Sequence, residues 1–243
     1  MVAAVINGTA LPFAEEWIKS LKNVAGENLK SVQLNINTKD TNVIMGEKCV
    51  TLYGNDYISD ILCGVKIRLS PLSFYQVNHT MAEKLYEKAA FYGGIEGKTI
   101  LDLYCGAGTI GLSLANKAKK VIGVEIIPKA IEDAKFNALA NKITNADFYC
   151  ADATEFADKH NPHPDVVIVD PPRKGLTEEL IHTITQKFAP EKVVYVSCDV
   201  ATLARDIKFF AEKGYKLKEY TPADLFPRTS HCETVALLVS KNK

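Results

Sequence analysis

Cys198 stands where an apolar run gives way to polar residues, in the stretch VVYVSCDVATLARD from Val193 to Asp206. A thiol at such a place is either a small buried residue or, held out at a sheet edge, a nucleophile. The residues after it, DVATLARDI, read as the start of a helix, and a helix N-terminus favours a thiolate by about 0.3–1 kcal/mol. The neighbouring Asp199 acts in the opposite sense. Glu233, in SHCETVALL, opens a second apolar run. If the two runs lie antiparallel, the start of one abuts the end of the other, and a carboxylate able to accept a proton joins the thiol. Alternation along the strand then turns Cys232 to the face opposite Glu233.

Two further stretches carry chemistry. In VVIVDPPRKG, Asp170 closes an apolar run and is followed by Pro171, Pro172 and Arg173. The prolines remove two backbone donors and stiffen the chain, which holds Asp170 at the carboxyl edge of the sheet, where open α/β proteins bind ligands. In LDLYCGAGTIG, Gly106, Gly108 and Gly111 form a G-x-G-x-x-G loop between a strand and a helix. Glycines at Gly106 and Gly108 let backbone N–H groups approach a ligand. Glu125 ends the next apolar run, where a carboxylate can accept both hydroxyls of a ribose. These features alone fit a nicotinamide cofactor as well as S-adenosylmethionine. Asp102, inside the strand before the loop, and Asp152, after the third strand where an adenine would lie, favour S-adenosylmethionine; the alternative for Asp152 is that it caps the following helix.

The elements that must position these residues are legible as a pattern. Apolar strands are expected at 99–105, 120–125, 146–150, 165–170, 192–198, 215–221 and 232–240. Helical segments separate the first five, the signature of a parallel sheet covered on both faces. Only a loop separates the last two, so they are expected to pair antiparallel at one end of the sheet. Seven such strands resemble the α/β, Rossmann-like class I fold of S-adenosylmethionine-dependent methyltransferases, a mostly parallel seven-stranded sheet with an antiparallel strand. Before it, VAAVI, SVQLNIN and CVTLYG alternate as short strands beside a helix near 14–23, a small α+β segment. A boundary near residue 72 divides the chain into a partial α+β domain, 1–72, and a catalytic domain, 73–243. The opening residues already read as a strand, so the chain is expected to begin inside a domain.

Composition narrows the partners. The chain has 243 residues, enough for one large domain with a small attachment, and its 29 basic residues balance 29 acidic ones. No global field attracts a polyanion, so any nucleic acid must meet a local patch. The first twenty residues hold no basic leader and no run of the roughly 20 apolar residues a membrane span requires. A cytoplasmic protein without membrane contact or an obligate protein partner is expected. The six cysteines form no C-x-x-C pair, so free thiols are expected, with no metal or iron–sulfur cluster.

Which group accepts a methyl is suggested by the thiol. Carbon 5 of uracil is too poor a nucleophile to attack a sulfonium methyl group unaided. A thiolate adding to carbon 6 turns carbon 5 into an enolate carbon, and a base must later remove the carbon 5 proton so that the thiolate can leave. SFYQVN, DLYCGAGTIGL, VDPPRKG, VSCDVATLARD and SHCETVALL, in that order, resemble the bacterial RNA uracil-C5 methyltransferases that act on tRNA or 23S ribosomal RNA. The resemblance runs the length of the chain. It implies Cys198 as nucleophile, Glu233 as proton acceptor, Gln76, Tyr104, Glu125, Asp152 and Asp170 as positions of the S-adenosylmethionine site, and RNA, with rRNA preferred over tRNA, as partner. Asp170 would also touch the base, Arg173 would meet a phosphate or the uracil edge, and Arg228 and His231 would contact RNA. It further implies that this chain corresponds to the catalytic domain with part of a central domain. Two alternatives stay open: an amine methyltransferase, although Arg173 stands where such enzymes carry an aromatic residue, and a nicotinamide-dependent oxidoreductase using the glycine loop.

Overall fold

The computed structural model describes residues 1–40, 43–160 and 162–241. The chain begins with β1 (Val2–Ile6), α1 (Ala14–Ala25) and β2 (Ser31–Ile36), and β1 and β2 pair in parallel, so α1 is the crossover between them. Glu15 and Glu16 in its first turn and Lys22 in its last complement the helix dipole. β3 (Lys48–Gly54) adds antiparallel to β2 and closes a three-stranded sheet. A separate hairpin follows, β4 (Ile58–Leu62) and β5 (Val65–Leu69). Its two-residue turn places Cys63 at φ 51° and Gly64 at φ 77°, the pair of positive angles whose twist suits adjacent strands.

The hairpin does not stand apart. Leu62, Val65, Ile67 and Leu69 are buried in one cluster with Leu85 and Tyr86 of α2 (His79–Gly93) and with residues of the large sheet. That sheet contains β6 (Thr99–Leu103), β7 (Lys120–Glu125), β8 (Ala146–Cys150), β9 (Val166–Val169), β10 (Lys192–Ser197), β11 (Tyr215–Ala223) and β12 (Glu233–Ser240), in the order β11-β12-β10-β9-β6-β7-β8. β6 to β10 are mutually parallel, whereas β12 runs antiparallel to both of its neighbours, β10 and β11. The seven expected strands and the antiparallel final pair are all present, each within a residue or two of its expected bounds. The fold is the class I methyltransferase fold.

Helices cover both faces, which is why β9 and the inner part of β10 are apolar at successive positions. Ile100, Ile168, Val194 and Val235 enter the core on one face; Leu101, Val167, Tyr195 and Leu238 enter the other. The connections are α3 (Thr109–Leu114), α4 (Pro128–Ala140), α5 (Ala153–Lys159), α6 (Glu178–His182) and α7 (Val200–Glu212). From β6 the chain builds outward through β7 and β8 on one side, then returns to build β9 and β10 on the other. The crevice at that reversal, outside the carboxyl ends of the strands, is where such sheets bind ligands. Because β12 is antiparallel, its first residue, Glu233, lies on the same edge as the ends of β9 and β10.

Candidate active site

The glycine loop leaves β6 through a sharply bent backbone: Tyr104, Gly106 and Gly108 have φ of 64°, 53° and 81°. Two carboxylates shape it. Asp102 is fully buried, and its Oδ2 accepts the Gly111 N–H at 2.9 Å. Burial pushes its pKa up to about 7, the Gly111 hydrogen bond opposes the rise, and the charge of Glu125 adds to it. Glu125 Oε2 accepts from Gly106 N at 3.2 Å, and Oε1 from Ile126 N and Ile127 N at 2.8 and 3.0 Å.

The loop fits the nucleoside and methionine parts of S-adenosylmethionine. Asp102 Oδ1 is buried without a partner among the described residues. A Cβ on Gly106 would point into open space, so the crevice in front of the loop is clear. Ile126 and Ile127 offer exposed apolar surface next to Glu125. Asp152 is exposed and caps α5, accepting from Thr154 N at 2.8 Å and Glu155 N at 3.4 Å. Burial raises the pKa of the Tyr104 phenol, and the charges of Asp152 and then Glu125 raise it further, so these three groups share one neighbourhood.

A second cluster forms where β9, β10 and β12 end. Ser197 pairs with Thr234 on the last rung between β10 and β12; Cys198 and Glu233 are the next residues on each strand. Glu233 is also held by β11, opposite Ala223. Its side chain is buried, and burial raises its pKa against the opposing charge of Arg173. The Cys198 thiol is half-buried; burial raises its pKa, Glu233 and Asp170 raise it further, and Arg173 lowers it. Asp170 keeps some contact with solvent, yet loss of hydration and the charges of Glu233 and then Asp102 push its carboxyl up to about 8. Arg173 is exposed, with Nη2 3.4–3.5 Å from the ring nitrogens of His231. Arg228, at φ 67°, is exposed on the loop leading to β12.

Gln76 is buried on the segment before α2. Asn78, which caps α2 by accepting from Met81 N, also donates to Leu225 O at 3.0 Å and so ties this segment to the loop before β12. Among the described residues no hydrogen bond joins the Gln76 amide to Asp170, Cys198 or Glu233. The structure therefore brings together Asp102, Gly106 and Glu125 as one group and Asp170, Arg173, Cys198 and Glu233 as another, with Gln76 linked only through the backbone.

Three polar residues of α4 and its C-cap carry no functional signature in the sequence. Asp133 is buried and accepts from Ser70 N and Ser73 Oγ; Asn137 donates to Ala107 O in the glycine loop at 3.0 Å and brackets Arg68; Asn141 brackets Lys66. Their spacing of four is the only signal in the sequence, and a solvated helix face has the same one.

The fold and the glycine loop define a class I methyltransferase. The chain belongs to the tRNA (uracil-5-)-methyltransferase family, whose model matches residues 10–241. It is 46% identical over its whole length to an uncharacterized RNA methyltransferase of Staphylococcus epidermidis, and 49% identical over 98% of its length to one of Bacillus cereus. It covers 54% and 52% of those proteins, so it spans about half the length of the curated relatives it matches. Among solved structures it is similar to the tRNA (uracil-54, C5)-methyltransferase of Pyrococcus abyssi in complex with S-adenosyl-L-homocysteine, with a TM-score of 0.79 and 33% identity, over 98% of this chain and 55% of that one. Among the described residues, no helix is long and apolar enough to cross a membrane, and no group of His, Cys, Asp and Glu could hold a metal ion.

Proposed function

We propose that this chain methylates carbon 5 of a uridine in RNA, with S-adenosylmethionine as donor and Cys198 as a transient covalent nucleophile. The observation that carries the reading is the pairing of Ser197 with Thr234, which sets a thiol and a buried carboxylate side by side at the edge that also bears Asp170. Membership of the family and the likeness to a solved uracil-C5 enzyme support it.

When bound, S-adenosylmethionine supplies an electrophilic methyl group. Gly106 and Gly108 leave backbone room for it, and Glu125 and Asp152 offer carboxylates to its ribose and base, with Tyr104 and Gln76 lining the same site. The uridine is flipped from its RNA so that its ring reaches the strand ends. The ionised Cys198 sulfur would bond to carbon 6, with the ring's electron pair moving to carbon 5 and the carbon 4 oxygen; carbon 5 would then take the methyl as the sulfonium–methyl bond breaks and its electron pair stays on the leaving S-adenosylhomocysteine sulfur. Glu233 then removes the carbon 5 proton, and the returning electrons expel the thiolate. A raised pKa suits Glu233 to that task, because a more basic carboxylate is a stronger proton acceptor. Asp170, largely protonated near neutral pH, donates a hydrogen bond to the ring. Arg173 offers charge to the thiolate and to a phosphate, and Arg228 and His231 extend that face toward the RNA.

The test is a transfer assay with labelled donor and a panel of 23S rRNA fragments and tRNAs, followed by digestion to nucleosides. Label in 5-methyluridine supports the reading, and the RNA that carries it identifies the substrate. Label in a base amine would replace it with amine methylation, and binding of NAD with no labelled nucleoside would replace it with the oxidoreductase.

A further inference from the structure

We propose that Arg205 and Asp206 are positioning residues: together they strap the loop after β9 to α7, and so keep Arg173 beside Cys198 and Glu233. This rests on Cys198 being the nucleophile.

The loop from Asp170 to Leu176 has little structure of its own, apart from a bond from Gly175 N to Pro172 O at 2.8 Å. What fixes it comes from α7. Thr202 Oγ1 donates to Arg173 O at 3.0 Å, and Arg205 Nη2 donates to Lys174 O at 2.9 Å and Leu176 O at 3.2 Å. Asp206 Oδ2 accepts from Leu176 N at 2.9 Å. Four backbone groups of the loop are thus held by three side chains of one helix. Gly175, at φ 72°, allows the close approach; a Cβ there would lie 2.5 Å from Asp206 Oδ2.

Asp206 joins this strap to the strand that carries the thiol. It is fully buried, its Oδ2 also accepts from Tyr195 OH at 2.7 Å, and its Oδ1 accepts from Arg205 Nε and Nη2 at 2.8 and 2.6 Å. Tyr195 lies on β10 three residues before Cys198, and α7 starts two residues after it. One carboxylate therefore bonds to β10, to its own helix and to the loop that bears Arg173. A buried carboxylate with all these partners is costly to disturb, which makes the relative placement of the loop and the thiol stiff.

The charged groups acting on the Cys198 thiol are Glu233 on β12 and Asp170 and Arg173 on the loop; Asp199, next in sequence, turns its carboxylate to Thr202 N in the first turn of α7. Among the described residues, Arg173 is the one cation acting on the thiol. If the strap fails, that cation drifts and the thiol becomes harder to ionise. The experiment follows alkylation of Cys198 by iodoacetamide against pH, read by mass spectrometry of its peptide. Arg173→Ala and Arg205→Ala are each expected to raise the midpoint by roughly half a pH unit. The double variant should go no further than Arg173→Ala, because both changes displace the same charge. Asp206→Asn should shift the midpoint the same way. Arg205 is nearly half exposed, so its variant is expected to fold even if an Asp206 variant does not.

A midpoint unmoved in Arg205→Ala, with only a lower melting temperature, would make the strap purely structural and overturn the proposal. Additive shifts in the double variant would also overturn it, since Arg205 would then act on the thiol by itself. The titration needs no RNA, so it stands apart from the nucleophile reading, which fails on its own terms if the wild type forms no adduct with 5-fluorouridine RNA.

Discussion

Cys198 and Glu233 lie one residue beyond the Ser197–Thr234 rung, the outermost pair of the antiparallel ladder between β10 and β12. The strands on either side of β12 leave this end of the ladder little freedom, since Glu233 is also paired with Ala223 of β11. Reversing the direction of β12 would carry Glu233 to the far edge of the sheet. The antiparallel direction of β12 within the large sheet is thus what brings a carboxylate from near the C-terminus to the end of β10.

Replacing Glu233 by Gln keeps its shape and removes its ability to accept a proton. With ordinary RNA and donor, Glu233→Gln is expected to slow turnover by about 10²–10⁴-fold and to accumulate a methylated protein–RNA adduct. Gel-shift analysis under denaturing conditions, with turnover measured in parallel, checks both expectations.

Asp102 and Asp170 have pKa values pushed up to about 7 and about 8. In an unfolded chain both would titrate near 4, about the ordinary value for aspartate. The native state therefore holds protons that the unfolded state releases, and stability is greatest below about pH 4 on this account and falls as pH rises through about 7 to 8. The melting temperature of the ligand-free protein should drop between about pH 5 and pH 9. Asp170→Asn should flatten the upper part of that fall while impairing methyl transfer.

Two glycines of the loop should separate stability from donor binding. A Cβ on Gly111 would lie 2.8 Å from Val121 Cγ1 and 3.0 Å from Asp102 Oδ2, so Gly111→Ala is expected to cost about 1–3 kcal/mol by overpacking. A Cβ on Gly106 meets nothing, but φ 53° strains it by roughly 1 kcal/mol and it enters the donor crevice. Gly106→Ala should therefore lose donor affinity out of proportion to stability. Calorimetric titration with S-adenosylmethionine, beside urea unfolding, reads the difference.

Asp133 holds the segment that leads to Gln76. Asp133→Ala removes the acceptor for Ser70 N and Ser73 Oγ and leaves Arg68, 3.4 Å away, without its buried carboxylate. A loss of about 3 kcal/mol in urea unfolding is expected, with weaker donor binding in the folded fraction.

The large sheet was legible because its strands carry long apolar runs: VIGV in β7 and VVIV in β9 have no other reading once helices separate them. The position of β12 was legible for a similar reason, since the loop before it is too short for a crossover. The hairpin of β4 and β5 was not. Its turn, Cys63-Gly64, lacks the Asn or Asp that usually marks such a turn, and β4 shows only one fully buried residue, Leu62. The residues of α4 and its C-cap that grip β5 and the glycine loop were hidden for another reason: Asn137 and Asn141 bond to backbone groups, as Asp133 does in part, and backbone partners leave no trace in a sequence. Asp152 could be read either way, and its side chain caps α5 while staying exposed.

The most direct test is to incubate the protein with donor and RNA containing 5-fluorouridine, whose carbon 5 has no proton for Glu233 to remove, and to map any cross-linked peptide. A stable adduct is expected on the peptide containing Cys198, absent in Cys198→Ala although that variant still binds S-adenosylmethionine. An adduct on another residue, or methyl transfer that survives in Cys198→Ala, would contradict Cys198 as the nucleophile.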